Sequence, residues 1–209
     1  AVKDLWGCDV IDAHLQHFQG DLLISLLDIW VLPPDYRQLF SAAWAPWFPV
    51  DHDPAPEAIV ERARTADFPL VYSQFGLRKM QEAGVSCTYI PHGVDTSVFK
   101  PGNKAEARER LRLPQDCYIV DMVAANKGFP SRKALCENIE AFARFHRKHP
   151  DSILYLHTCT SVSDGGVDIP AFCEAVGLRR DAWREVPQYH YQIGLPPEYM
   201  AAVYQASDC

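Results

Sequence analysis

Three basic side chains crowd one short stretch of this chain. They are Lys127, Arg132 and Lys133, in Ala125-Asn126-Lys127-Gly128-Phe129-Pro130-Ser131-Arg132-Lys133. An apolar run, Tyr118 to Ala124, precedes them and reads as a strand. An amphipathic pattern follows, running to about His149 with Leu135, Ile139, Phe142 and Phe145 or His146 inward. Strand, glycine-containing loop and helix start is an arrangement that binds phosphate, because the first helix amides are unpaired and the dipole is positive there. Ser131 reads as the cap of that helix. Cations beside a helix N-terminus oppose the dipole at a cost of ~0.3–1 kcal/mol each. The Arg132-Lys133 pair therefore points to an anionic ligand, and its plain alternative is a solvated basic turn. The glycine fingerprints of dinucleotide folds and P-loops are absent.

A second constellation is Asp51-His52-Asp53, at the end of an aromatic run, Ser41 to Val50. It reads as a cleft site or as a solvated acidic turn. Three consecutive side chains rarely converge on one ion, so no metal is expected. Asp28 interrupts the aliphatic run Leu22 to Leu32; it either faces a ligand or ends the strand near solvent. His14 and His17 lie one helical turn apart without a third ligand and read as surface histidines.

The elements that must position these groups alternate. Val2, Leu5 and Trp6 suggest the end of a helix before Gly7. Leu22 to Leu32 reads as the strongest buried strand, covered on both faces. Ser41 to Val50 carries two prolines and reads as an irregular or edge strand. Glu57 to Ala66 is a helix with Ile59, Val60, Ala63 and Ala66 on one face. Leu70 to Ser73 is a strand, Ser73 caps a helix from Gln74 to Ala83, Gly84 stops it, and Thr88 to Ile90 is the next strand. Then Pro91, His92, Gly93 and Asp95 form a sharp turn that reads as an interdomain hinge. Beyond it come a charged helix (Lys104 to Leu113), the strand before the basic loop, the strand Ile153 to His157, a loop at Asp164 to Gly166, and a short helix from Pro170 to Val176. Val186 and Tyr189 to Ile193 fit no single pattern. Alternation of this kind predicts an α/β fold with doubly wound parallel sheets, whose ligands bind beyond the strands' carboxyl ends.

The chain has 209 residues, 48% apolar and 22% charged, with a net charge of −7 and no basic block. That composition suits a globular protein and argues against nucleic acid as a partner. No apolar run is long enough to span a bilayer, and no signal peptide is evident. Seven scattered cysteines without C-x-x-C read as free thiols, which points to a reducing, cytoplasmic location.

The stretch "YIPHGVDTSVFKP" resembles the interdomain segment of family 4 glycosyltransferases, retaining enzymes of the two-domain GT-B fold. Their usual form is I-P-N-G-V-D, so His92 stands where they carry Asn. "LVYSQFGLRKMQEAGVSCTYIPHGVD" is similar to the family's last N-domain unit, and "VDMVAANKGFPSRKALCENIEAFARFHRKHPDSILYLHT" to its first C-domain unit. "IGLPPEYMAAVYQASDC" resembles the unit after that. The resemblance implies two Rossmann-like domains, 1–95 on the acceptor side and 96–209 on the donor side, each incomplete in a fragment cut at both ends and inactive alone. It implies a nucleotide-diphosphate sugar as donor, no metal or other cofactor, and a glycan, lipid or small molecule as acceptor, with peripheral membrane contact allowed. It places His52, or Asp51 one register away, beside the sugar; Asp28, if it faces a ligand at all, would face the acceptor. It puts the diphosphate on Asn126 or Lys127, Gly128, and Arg132 or Lys133; Ala134 replaces a glycine of the family loop. A GT-B nucleotide-sugar epimerase and a non-catalytic domain that binds a nucleotide sugar or a partner are the alternatives.

Overall fold

The computed structural model describes residues 4–162 and 165–209. Val2 and Asp164, assigned above to a helix end and a loop, lie outside the described residues. The chain divides into two compact units, Ala1–Gly93 and Val94–Cys209. Each is α/β with one small parallel sheet, of four strands in the first and three in the second. No helix among the described residues is long and apolar enough to cross a membrane.

The first sheet contains β1 (Leu22–Leu26), β2 (Ala43–Phe48), β3 (Leu70–Val71) and β4 (Thr88–Tyr89), in that spatial order. Its core gathers Trp44, Phe48, Val71, Ile59, Val60 and Met80, with the last three supplied by α2 (Glu57–Thr65) and α3 (Gln74–Glu82). Ser73 caps α3 as the sequence implies: its Oγ accepts from the Gly76 amide at 2.9 Å.

The aliphatic run Leu22 to Leu32 does not form one buried strand. Only Leu22–Leu26 is extended, and Ile29–Val31 is a 3-10 turn. β1 is an edge strand, with Leu22, Ile24 and Leu26 exposed while Leu23 turns to the core. Continuous apolarity mimics two-sided burial; the period of two along the strand decides the matter instead. The aromatic run is also corrected: β2 is central, not an edge, despite Pro46. β3 engages only Trp47 and Phe48, so its ladder asks nothing of the proline. The N-terminal helix is α1 (Ile11–Phe18); residues 4–6 form a bend and turn with Leu5 exposed. His14 and His17 lie exposed on α1.

In the second sheet the order is β5 (Tyr118–Val123), β6 (Ser152–His157), β7 (Trp183–Glu185). Both faces are covered. Leu154 and Leu156 meet α5 (Leu135–His146) and α6 (Ile169–Ala175) through Ile139, Phe142, Ile169 and Cys173. Ile119 and Tyr155 face α4 (Lys104–Leu111) and α8 (Pro197–Ala206) through Ala107, Ala202 and Val203. The ambiguous segment after Val186 is α7 (Gln188–Ile193). The final residues run beside β5: the Asp208 amide donates to the Ile119 carbonyl and the Asp121 amide to the Cys209 carbonyl, both at 2.8 Å. A polar knot fixes that arrangement. Buried Arg108 donates to the carbonyls of Ala206 (3.0 Å) and Gln115 (2.6 Å) and to Asp208 (2.6 Å).

Candidate functional sites

In the second unit the basic loop leaves the carboxyl end of β5. Lys127, Arg132 and Lys133 are all exposed, and among the described residues none of the three side chains has an acidic partner. Gly128 sits at φ +70°, a left-handed conformation that lets the chain turn directly after Lys127. Phe129 projects into solvent at 78% exposure.

The helix after the loop begins later than its sequence suggests. Ser131 is not its cap: the Ser131 Oγ accepts from the Lys133 amide at 3.3 Å, closing a local turn. Ala134, at φ +51° and without a side-chain cap bond, is the residue before α5. Arg132 and Lys133 therefore sit in the turn ahead of the helix, not in its first turn. That removes most of the dipole conflict inferred for them, since the dipole's field falls off within a turn. Asn138 steadies the turn from inside α5, donating to the carbonyls of Ala134 (2.8 Å) and Lys133 (3.3 Å).

Asn126 is the loop's anchor. It is 4% exposed. Its Nδ2 lies within bonding distance of the carbonyls of Val167 (2.7 Å), Cys159 (3.0 Å) and Ser161 (3.2 Å), and its Oδ1 accepts from the Val167 amide at 2.8 Å. A primary amide has two donors and one acceptor oxygen, so this side chain is committed to its own protein. Of the groups expected at a diphosphate, Lys127, Gly128, Arg132 and Lys133 remain at the surface, while Asn126 shapes the ground under them.

Sequence reasoning passed over two neighbours at the end of β6. Thr158 is fully buried, and its Oγ1 and the Nδ1 of His157 have no hydrogen-bond partner among the described residues. His157 is half-buried among the rings of Tyr191 and Tyr199, and burial lowers its pKa. Their residue types gave no signal, because each looks like an ordinary strand-end residue.

In the first unit, the expected groups gather at the carboxyl ends of β1 to β4. Asp28 follows β1; it is exposed, so it is not the buried carboxylate that its apolar neighbours suggest. Asp51 and His52 follow β2 and bind each other, His52 Nδ1 to Asp51 Oδ1 at 2.6 Å. With Nδ1 donating to the carboxylate, Nε2 is the acceptor of the neutral ring. Asp53 turns away and pairs with Lys79 at 2.9 Å, which also holds Glu82 at 2.8 Å. Thus the Asp51-His52-Asp53 triplet splits, and among the described residues no group of three His, Cys, Asp or Glu is placed to hold a metal ion.

His92, expected only as a hinge residue, has a second placement. Its ring lies 4.2 Å from that of Tyr72 and 4.6 Å from that of Trp47, centroid to centroid. Trp47 and Tyr72 meet edge-to-face at 6.1 Å, and the Trp47 indole donates to the Ile90 carbonyl at 2.8 Å. Pro91, His92 and Gly93 are exposed and end the first unit; Asp95 lies in the second, where it accepts from the Ser97 amide at 2.9 Å. Burial first, then the carboxylates of Asp28 and Asp51, push the Tyr72 phenol pKa up, which puts those two acids within electrostatic reach of its hydroxyl. Burial raises the thiols of Cys87 and Cys173 to about 11, far from thiolate chemistry. No family model matches the chain, and no curated protein matches it.

Proposed function

We propose that this protein is a retaining glycosyltransferase of the GT-B type, which takes its sugar from a nucleotide-diphosphate donor bound at the basic loop of the second unit. One observation carries the reading: three exposed cations, without acidic partners among the described residues, surround a glycine turn at the carboxyl end of β5, ahead of an uncapped helix. Lys127, Arg132 and Lys133 would neutralise the diphosphate in the ground state. They would also stabilise the charge that develops on it as the sugar departs, a preorganised electrostatic task. In the first unit the Asp51–His52 pair has the form of an oriented imidazole, its carboxylate fixing the tautomer and its Nε2 free for a sugar hydroxyl. The resemblance of the Tyr89 to Pro101 segment to family 4 enzymes supports the same assignment.

A binding domain without chemistry is the second reading. What favours it is the exposure of both Asp51 and His52, which among the described residues hold only each other. Calorimetric titration separates donor binding from its absence. UDP and GDP should bind at least tenfold more tightly than UMP and GMP, and the Lys127→Ala/Arg132→Ala/Lys133→Ala variant should lose that preference. Equal binding of mono- and diphosphates, or binding unchanged in the variant, would overturn the donor site.

A further inference from the structure

The rings of Trp47 and Tyr72 are set 83° apart, making an open corner at the carboxyl ends of β2 and β3. His92 fills that corner, tilted 45° to the indole and 39° to the phenol. Its ring is exposed and makes no hydrogen bond with the described residues, so stacking alone keeps it there. Tyr72 likewise spends its hydroxyl on no described residue. The exposed carboxylates of Asp28 and Asp51 lie within electrostatic reach of the Tyr72 hydroxyl, at the same ends of the sheet.

We propose that the corner formed by Trp47 and Tyr72, together with the carboxylates of Asp28 and Asp51, is a docking place for a pyranose ring, and that His92 occupies it as a displaceable stand-in. A pyranose has an apolar C–H face for an aromatic surface and a rim of hydroxyls that carboxylates accept. Those are the two chemistries that the corner and these carboxylates present. A quaternary ammonium group would share the attraction to rings and acids, but it is held by rings on several sides, and this corner has two walls. The ligand would be the acceptor sugar of the transfer reaction, so this inference rests on the proposed function while using only residues of the first unit. His92 lowers the apparent affinity by the fraction of time it fills the corner.

Saturation-transfer NMR with methyl α-D-glucopyranoside, methyl α-D-mannopyranoside and methyl β-D-galactopyranoside tests this, with choline as the cationic control. At least one pyranoside should receive saturation on its ring C–H protons. Its affinity should fall at least tenfold in Tyr72→Ala and rise at least threefold in His92→Ala, with circular dichroism confirming that both variants are folded. The proposal is overturned if no pyranoside binds either the parent chain or His92→Ala, if Tyr72→Ala leaves affinity unchanged, or if choline alone binds. Nucleotide titration of the same samples separates the failures. Diphosphate binding without pyranoside binding sinks only this inference, whereas loss of diphosphate selectivity with pyranoside binding intact sinks the donor site.

Discussion

Asn126 and Val167 hold each other from both ends. The Asn126 side chain donates to the Val167 carbonyl at 2.7 Å and accepts from the Val167 amide at 2.8 Å, as a strand neighbour would. The loop after β5 is thereby fastened to the loop before α6. Gly166 is part of the same closure: a Cβ there would stand 2.6 Å from the Asn126 carbonyl oxygen, inside any tolerable contact. Asn126→Ala should cost roughly 2–3 kcal/mol, because it strands buried backbone groups without partners. Gly166→Ala should cost at least ~1 kcal/mol through forced displacement. Urea unfolding measures both. A change under about 0.5 kcal/mol, the level of an ordinary surface substitution, would show that the loops do not depend on this contact.

The acid limit of stability should trace to two aspartates. For Asp208, burial pushes the carboxyl pKa up, but the Ile119 amide, Lys104 and Arg108 together hold it below the usual range. For Asp67, the Tyr36 hydroxyl, the Trp44 amide and Arg37 do the same. A depressed folded-state pKa adds stability that is complete above the unfolded-chain value of about 3.9 and disappears as pH falls through the folded value. Denaturant midpoints should therefore drop steeply below about pH 4. Asp208→Asn should destabilise on the order of 2 kcal/mol at pH 7 and much less at pH 3. Arg108→Ala, which breaks a buried pair, should cost ~3–5 kcal/mol at neutral pH. A pH profile of Asp208→Asn parallel to that of the parent chain would contradict the assignment.

Exposed cations act through solvent, and salt reports on them. If Lys127, Arg132 and Lys133 hold a diphosphate, affinity for UDP should fall several-fold between 50 and 500 mM salt as screening shortens. Each single alanine variant should flatten that slope while leaving the unfolding free energy within ~0.5 kcal/mol of the parent value. A salt-independent affinity would place the nucleotide elsewhere.

The outer face of β1 offers a fourth test. Leu22, Ile24 and Leu26 are 46%, 61% and 57% exposed on an edge strand, a combination that invites pairing between chains. Ile24→Lys should reduce light scattering of concentrated samples with little change in stability, within ~0.5 kcal/mol. Undiminished aggregation would shift attention to another surface.

Much of the fold was legible because it is written in local signals. Ser73 before α3 and the face Ile59, Val60 and Ala63 of α2 each announce themselves over a few residues. Errors arose where a tertiary fact decides. Leu22 to Leu32 looks buried on both sides, yet its strand lies at the sheet's edge. The start of α5 depends on a left-handed Ala134 and on Ser131 bonding to Lys133, neither of which residue type dictates. The candidate sites divide in the same way. Lys127, Arg132 and Lys133 stand together in sequence and could be read there. Trp47, Tyr72 and His92 come from the ends of three different strands, so only the parallel register brings them into one corner.

The central claim is that the loop after β5 holds the donor's diphosphate, and amide NMR addresses it most directly. On titrating UDP-glucose and GDP-mannose into labelled protein, the account predicts that the largest shifts fall on the amides of Lys127, Gly128 and Arg132 to Leu135. It also predicts that UMP produces far smaller shifts and that the triple alanine variant shows none. Shifts of equal size with UMP, or shifts that spare this loop while appearing elsewhere, would contradict it.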